Sequence, residues 1–414
     1  MLKLLFLLPF PPRLDASHGG SRVMAELLVR LAQRHRVALL YLRAADESPL
    51  EEKLRERCDM VREVERPIPN VGWRLRLRLL HSFLQRKPIW VTLWSVPTFK
   101  NELRSLVREW QPDIIQLEYH VMGQYLPAIG DFPAPRVLTE HEPGTRAARD
   151  LEQMKNGYAR VMHSLDRRVW DRYERRILRE IDTAVVFTEQ DRRELWELGA
   201  ETPIIRIPLQ ITVPSEPLDA VGKTPLSVLF VGNFIHPPNV DAAEHLVRDI
   251  LPAVRAEVPD VRLYIVGDRP PAQLKQLANE RIIVTGLVPD VTPYLDQAAV
   301  VVAPLRTGGG MRVKVLEALA AGKAVVAYPL AVEGLEVRDG QQISIVADDK
   351  EFVARIIELL EDGEERRRMG AAAYDWARRN ISWRRSVKAY EDLYRGLLRD
   401  GSPAKTAPSL LEVI

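Results

Sequence analysis

The chain has 414 residues, 46% of them apolar and 28% charged, the balance of an ordinary globular protein and enough length for two domains of about 200 residues each. Net charge is only +2, with 34 Lys/Arg against 29 Asp/Glu in residues 1–210 and 25 against 28 in the remainder; a modest pI near 8.5 and the lack of a recognised nucleic-acid motif argue against a nucleic-acid partner. The lone cysteine, Cys58, excludes an internal disulfide, and no run of about 18 apolar residues marks a membrane span.

The opening MLKLLFLLPFPPRLD has an apolar run that is short, broken by Pro9 and without a small-residue cleavage site, so Leu2–Leu8 reads as a first buried strand rather than a leader. Gly19-Gly20 precedes a predicted helix through Ala25, Leu27, Leu28 and Leu31, and Arg36–Leu42 is the next strand. This is a βαβ unit whose glycine loop either touches a phosphate or makes a tight turn. Residues 48–110 resist assignment. Within them, Trp73–Lys87 carries five cations (Arg74, Arg76, Arg78, Arg86, Lys87) and no acid, interleaved with leucines and aromatics. It reads as a basic amphipathic helix, which either lies on an anionic membrane surface or packs half-buried with a solvated face.

Asp113–Glu118 and Arg136–Thr139 are predicted strands, the second running into Glu140-His141-Glu142-Pro143-Gly144. No second histidine follows four residues on, so this is not a zinc-protease motif. A histidine on the loop leaving a strand of an open α/β sheet either faces a ligand at the carboxyl edge or is plain surface. Residues 147–180 read as a long charged helical run, Ala184–Thr188 as a strand, Glu189–Leu198 as a helix and Pro203–Ile207 as the last strand of this half.

Pro208, Pro214, Pro217 and Pro225 make 208–225 a linker. Beyond it the alternation restarts: strand Leu226–Val231, helix Asn239–Val258, strand Val261–Val266, a short helix at Leu274–Asn279, then strands at Ile282–Val284, Val300–Ala303 and near Val325 and Ile343. Such alternation builds a parallel sheet covered by helices. Asp348–Leu360, the segments after Glu364 and Trp383–Leu398 are helical, and Gly401–Ile414 is a loose tail. The most telling stretch is Ala299–Tyr328, AVVVAPLRTGGGMRVKVLEALAAGKAVVAY. It reads as strand, glycine loop, helix with Gly322 as C-cap, and strand. Free N–H groups and the positive helix end make such a loop an anion site. Arg312 and Lys314 stand in the first turn against the preference of the helix dipole, which points to a bound anion, the bland alternative being solvated surface.

This stretch resembles the nucleotide-binding segment of the retaining glycosyltransferases of family 4, the group 1 transferases, in a subgroup found among bacterial polysaccharide-type enzymes. The resemblance implies an α/β, GT-B fold: two Rossmann-like doubly wound domains facing each other across a cleft. On it, 1–207 would be the acceptor-side domain, 226–381 the nucleotide-sugar-binding domain, and 382–400 a helix crossing back to the first domain. The resemblance also implies that Gly308, Gly309, Gly310 and Met311 cradle the donor diphosphate, that Glu317 binds the ribose, and that backbone at Leu287 and Val288 meets the base. Gly309 stands where the family often carries a second glutamate that contacts the sugar. Gly19 and Gly20 would face the donor, and His141 would lie near the transferred sugar. In the loop that begins Gly232-Asn233, many family members place an arginine and a lysine against the diphosphate; Asn233 and Pro238 stand there instead. Charge balance then assigns phosphate neutralisation to Arg312 and Lys314.

No Asp-x-Asp triplet and no His/Cys cluster at metal-ligand spacing occurs. The expectation is therefore a metal-independent, retaining hexosyltransferase that moves sugar from a UDP- or GDP-sugar to a glycan or lipid-linked acceptor, without a cofactor. It would be cytoplasmic, and peripheral on the inner face of the cell membrane if Trp73–Lys87 binds lipid. A sugar-nucleotide epimerase or phosphorylase of the same architecture, and a non-catalytic nucleotide-sugar-binding or assembly protein, stand as alternatives.

Overall fold

A computed structural model describes residues 1–16, 19–67, 82, 87–153, 157–222, 226–308, 312–381 and 383–400. Most of the basic Trp73–Lys87 segment, Gly309, Gly310, Met311 and the tail lie outside the described residues. The chain divides into two compact units, one built on 1–14, 20–208 and the final helix from Arg384, the other on Leu209–Trp383.

The first unit holds a seven-stranded sheet. Its strands are β1 (Lys3–Leu8), β2 (Arg36–Ala44), β3 (Met60–Arg66), β4 (Ile114–Glu118), β5 (Arg136–Glu140), β6 (Thr183–Val186) and β7 (Ile204–Arg206). They pair in the order β3-β2-β1-β4-β5-β6-β7, all parallel. Five of the six residues of β1 are buried. Such continuous apolar runs arise because a parallel sheet has helices on both faces. The final helix, Trp383–Asp400, returns to this unit, where His35 Nε2 pairs with Glu391 Oε1 at 3.1 Å.

The second unit holds a six-stranded parallel sheet. Its strands are β8 (Ser227–Val231), β9 (Arg262–Val266), β10 (Ile282–Val284), β11 (Val300–Ala303), β12 (Val325–Ala327) and β13 (Ser344–Ile345), in the order β10-β9-β8-β11-β12-β13. Val300, Val301 and Val302 of β11 are 0, 5 and 1% exposed, a burial worth on the order of 1.5–3 kcal/mol per side chain. The order of both sheets reverses beside their first strand, between β1 and β4 and between β8 and β11. An open α/β sheet leaves its ligand crevice at that switch point, outside the carboxyl ends of the strands.

Three departures from the sequence reading have physical causes. The edge strand β3 was hidden in the unassigned region, because only Val64 of its seven residues is buried and the rest are charged or half-exposed. Gly19 and Gly20 do not form a loop before the first helix; they open it, as part of Gly19–Leu31. The long helical run is two helices, Gly144–Gln153 and Gly157–Arg179.

Gly267 has φ +149, and a Cβ there would sit 1.7 Å from the carbonyl oxygen of Gly232. Gly267→Ala should therefore lower the unfolding free energy by about 3 kcal/mol or more. Gly130→Ala is the control: its φ of +64 and ψ of −142 also disfavour a side chain, but nothing lies within 4 Å of the added carbon, so only the backbone cost of about 1–3 kcal/mol applies, without the clash with a carbonyl. Urea midpoints of the two variants test the difference.

Candidate functional site

In the second unit, the loops after β8 and β11 meet at the switch point. The Gly232 amide donates to the Val266 carbonyl at 2.9 Å, which pins the start of the first loop. Asn233 Oδ1 accepts from the Ile235 amide at 3.0 Å, and the Asn233 carbonyl accepts from Asn239 Nδ2 at 2.7 Å. Pro237 and Pro238 occupy the first turn of the helix Pro237–His245, where a missing N–H costs nothing. From the other loop Gly308, at φ +92, approaches so closely that a Cβ would lie 2.7 Å from Pro238 Cγ. Glycine is required here by the positive φ and by the proline ring against it.

Arg312 and Lys314 are not solvated surface. Arg312 is the N-cap residue of the helix Val313–Ala320, 6% exposed, and its Nη2 donates to Glu333 Oε2 at 3.1 Å. Its charge is thus already opposed by a carboxylate. Lys314 is half-buried, donates from Nζ to Asn239 Oδ1, and lies 5.0 Å from the centroid of the Phe230 ring. Burial first, and then the Arg312 charge, depress its pKa to about 7, while Glu317 works the other way. Burial and the Lys314 charge also lower His236. Glu317 lies half-buried on the same helix as Lys314. That helix ends as expected, with Gly322 at φ +73, its amide on Leu319 and the Lys323 amide on Ala318. Leu287 is 63% exposed, while Val288 packs partly against the core.

In the first unit, His141 is not an open loop residue. It is 2% exposed, its ring stacks on Tyr119 at 3.8 Å and 8°, and Phe187 meets its edge at 5.1 Å. His141 Nε2 is 2.7 Å from Glu118 Oε2. His141 Nδ1 is buried and has no hydrogen-bond partner among the described residues. Tyr119 has φ +69, a strained conformation for a residue with a bulky side chain. Glu118 and Tyr119 escaped the sequence reading; an acid closing the apolar run IIQLE is the signal that was there.

The fold also gathers a cluster that no sequence spacing reveals. Carboxylate or imidazole atoms of His120, Glu140 and Glu174, all buried, lie within 4.8 Å of one another. His120 Nδ1 is 3.1 Å from Glu140 Oε2. Glu174 accepts from the Gly144 amide and from the Thr145 amide and hydroxyl, so it caps the helix that follows His141. These bonds occupy Glu174 as a structural clamp. Burial, and then the nearby Glu140 charge, push the Glu174 pKa up to about 7. Burial alone would lower His120, but Glu140, Glu174 and Glu142 together raise it.

A carboxyl group whose folded pKa is raised holds its proton better folded than unfolded, so its contribution is full below the unfolded value and is lost as pH rises to about 7. Glu174→Gln mimics the protonated acid. The variant should gain stability relative to wild type between about pH 5 and pH 8, by more than about 1 kcal/mol. Urea unfolding at the two pH values measures this, and a constant difference would refute the assignment.

With this geometry established, the likenesses to known proteins are informative. The family model described as Glycosyltransferase Family 4 matches residues 17–211, and that described as Glycosyl transferases group 1 matches residues 225–362. The phosphatidyl-myo-inositol mannosyltransferase of Mycolicibacterium smegmatis is 30% identical over 205 residues, 45% of this chain and 52% of that protein. An uncharacterised 44.6 kDa protein in the cps region of Klebsiella pneumoniae is 23% identical over 178 residues, 41% of this chain and 45% of that one. The chain thus spans about half the length, or less, of these relatives. Among solved structures, sucrose-phosphate synthase from Thermosynechococcus elongatus superposes with TM-score 0.71 at 19% identity, covering 95% of this chain and 99% of that one. HepE of Anabaena, solved with UDP and glucose, gives 0.67 at 12% identity, covering 96% and 100%. The shared architecture is the GT-B fold, with its paired parallel sheets. The two domain matches and this architecture place the chain in the group 1, family 4 glycosyltransferases.

Proposed function

We propose that the protein transfers a sugar from a UDP- or GDP-sugar to a glycan or lipid-linked acceptor, with retention and without a metal. One observation carries the reading. At the β8/β11 switch point Gly308, a helix start and a half-buried lysine converge, and the lysine's hydrogen-bond partner is a neutral amide. A cation in that setting is unstable alone and is stabilised by an anion such as a diphosphate. Support comes from the likeness to mannosyltransferases and to a protein solved with UDP and glucose.

In this reading Lys314 replaces the cation missing from the Asn233–Asn239 loop, reaching across to Asn239 from the next strand's helix. Arg312, held by Glu333, shapes the loop and adds field rather than a free charge. Loop amides and Lys314 together oppose the charge that grows on the leaving diphosphate, the electrostatic part of catalysis. Glu317 contacts the ribose, and His141 contributes to the sugar or acceptor. No helix among the described residues is long and apolar enough to cross a membrane. A cytoplasmic protein reaching an anionic membrane through Trp73–Lys87 remains part of the proposal.

The direct test is release of nucleoside diphosphate from a panel of UDP-, GDP-, ADP- and TDP-sugars. Release with at least one donor, slow to water and faster with acceptor, is expected. Tight nucleotide binding with no release by any donor would instead mark a binding protein.

Lys314 gives a second test. With a free pKa of about 7, it is mostly neutral at pH 8, and a bound diphosphate raises its pKa by favouring the ammonium. Binding therefore takes up a proton, and affinity should fall as pH rises above about 7, up to the higher pKa of the complex. Calorimetry at pH 8 in two buffers of different ionisation enthalpy should show that uptake. Lys314→Gln should abolish it and weaken binding by roughly 10- to 150-fold, the loss of a charge-assisted hydrogen bond. Unchanged affinity would remove Lys314 from the site.

A further inference from the structure

The imidazole of His141 sits at the end of a chain of hydrogen bonds that starts on the last helix of the protein. Tyr394 OH donates to Gln116 Oε1. Gln116 Nε2 donates to Glu118 Oε1 at 2.7 Å and to Thr139 Oγ1 at 2.9 Å. Glu118 Oε2 then faces His141 Nε2 at 2.7 Å. Gln116, Glu118, Thr139, His141 and Tyr394 are all buried.

We propose that Tyr394, Gln116 and Glu118 are positioning residues that fix the proton of His141 on Nε2, and so present Nδ1 as a hydrogen-bond acceptor for a substrate hydroxyl. The proposal rests on the transferase reading for the identity of the substrate, and on geometry for the rest. An ionised carboxylate only accepts hydrogen bonds. Glu118 therefore requires an N–H from each neighbour: the amide nitrogen of Gln116 on one oxygen and Nε2–H of His141 on the other. The same requirement orients the Gln116 amide, leaving its oxygen for the Tyr394 hydroxyl. In neutral His141 the lone pair must then lie on Nδ1, the atom that is buried and partnerless among the described residues.

A buried polar atom left unsatisfied costs about 1–3 kcal/mol, so it is retained where a ligand completes it. A lone pair selects the ligand chemistry. It accepts from a sugar hydroxyl, and it repels phosphate oxygens, which are acceptors themselves. The ring plane is fixed independently by Tyr119, whose strained backbone at φ +69 delivers its side chain flat against the imidazole at 3.8 Å.

The test is the tautomer of His141, read from ¹⁵N-histidine-labelled full-length protein at about pH 8.5, where an ordinary imidazole is neutral. His141→Gln assigns the signal by its loss. Wild type should show protonated Nε2 and bare Nδ1. In Glu118→Gln, the new amide oxygen takes the Gln116 donor and its NH₂ group faces Nε2, so the proton should move to Nδ1. In that variant kcat should fall roughly tenfold or more, with the Kd for nucleoside diphosphate unchanged. Tyr394→Phe removes a single hydroxyl, and should lower kcat about threefold with Kd unchanged. A wild-type imidazole protonated on Nδ1, an unmoved proton in folded Glu118→Gln, or an unaltered kcat in Tyr394→Phe each overturns the relay. If wild type releases no nucleoside diphosphate at all, the transferase reading fails instead, and the tautomers of wild type and Glu118→Gln still decide the relay.

Discussion

Everything functional in this protein depends on parallel strand pairing. Parallel neighbours cannot be joined by a hairpin, so each return passes through a crossover, usually a helix, and all carboxyl ends collect on one edge of the sheet. Where the strand order reverses, successive crossovers go to opposite faces, and the two loops at the reversal border a crevice outside the carboxyl ends of the strands. In the second unit these are the loops after β8 and β11, and they bring Asn239 to Lys314 and Gly308 to Pro238. In the first unit the end of β4 and the end of β5 stand side by side, which brings Glu118 to His141.

Charge in dry surroundings gives these edges their chemistry. Two cations enter one helix start, and the structure treats them differently. Arg312 is paired with Glu333, whereas Lys314 is given an amide and an aromatic face. A paired guanidinium is a structural element; a half-buried ammonium without a carboxylate in hydrogen-bond contact is poised to respond to an anion. The first unit repeats the contrast with acids. Glu174, fully engaged with the Gly144–Thr145 backbone and close to Glu140, favours its proton and clamps a helix. Glu118, two residues from Gln116 on the same strand, has one oxygen on an amide and the other on an imidazole.

The strand and helix alternation was legible because buried parallel strands are apolar throughout. Ile282–Val284 and Val300–Ala303 appear in the structure with the bounds read from sequence. What escaped was what burial does not mark. The strand β3 lies at a sheet edge, so charged residues such as Arg62, Glu63 and Glu65 face water along it and mask its period. Gly19 and Gly20 read as a loop because glycine weakens helices, yet the helix begins on them. No spacing rule finds His120, Glu140 and Glu174, since they come from three separate elements.

By itself, the amino-acid sequence determined the α/β class, the need for glycine at Gly308 ahead of the helix Val313–Ala320, the helix stop at Gly322, and the family to which the chain belongs. These are local properties: a periodic apolar pattern, a backbone conformation that needs glycine, a motif within about 20 residues. Only the tertiary structure decided which charges are free to act. Glu333 reaches Arg312 from 21 residues away, Asn239 reaches Lys314 from 75, and Tyr394 reaches Gln116 from 278. Pairing and desolvation are set by neighbours in space, and chain order says nothing of how far a carboxylate, an amide or a hydroxyl will lie from the group it governs.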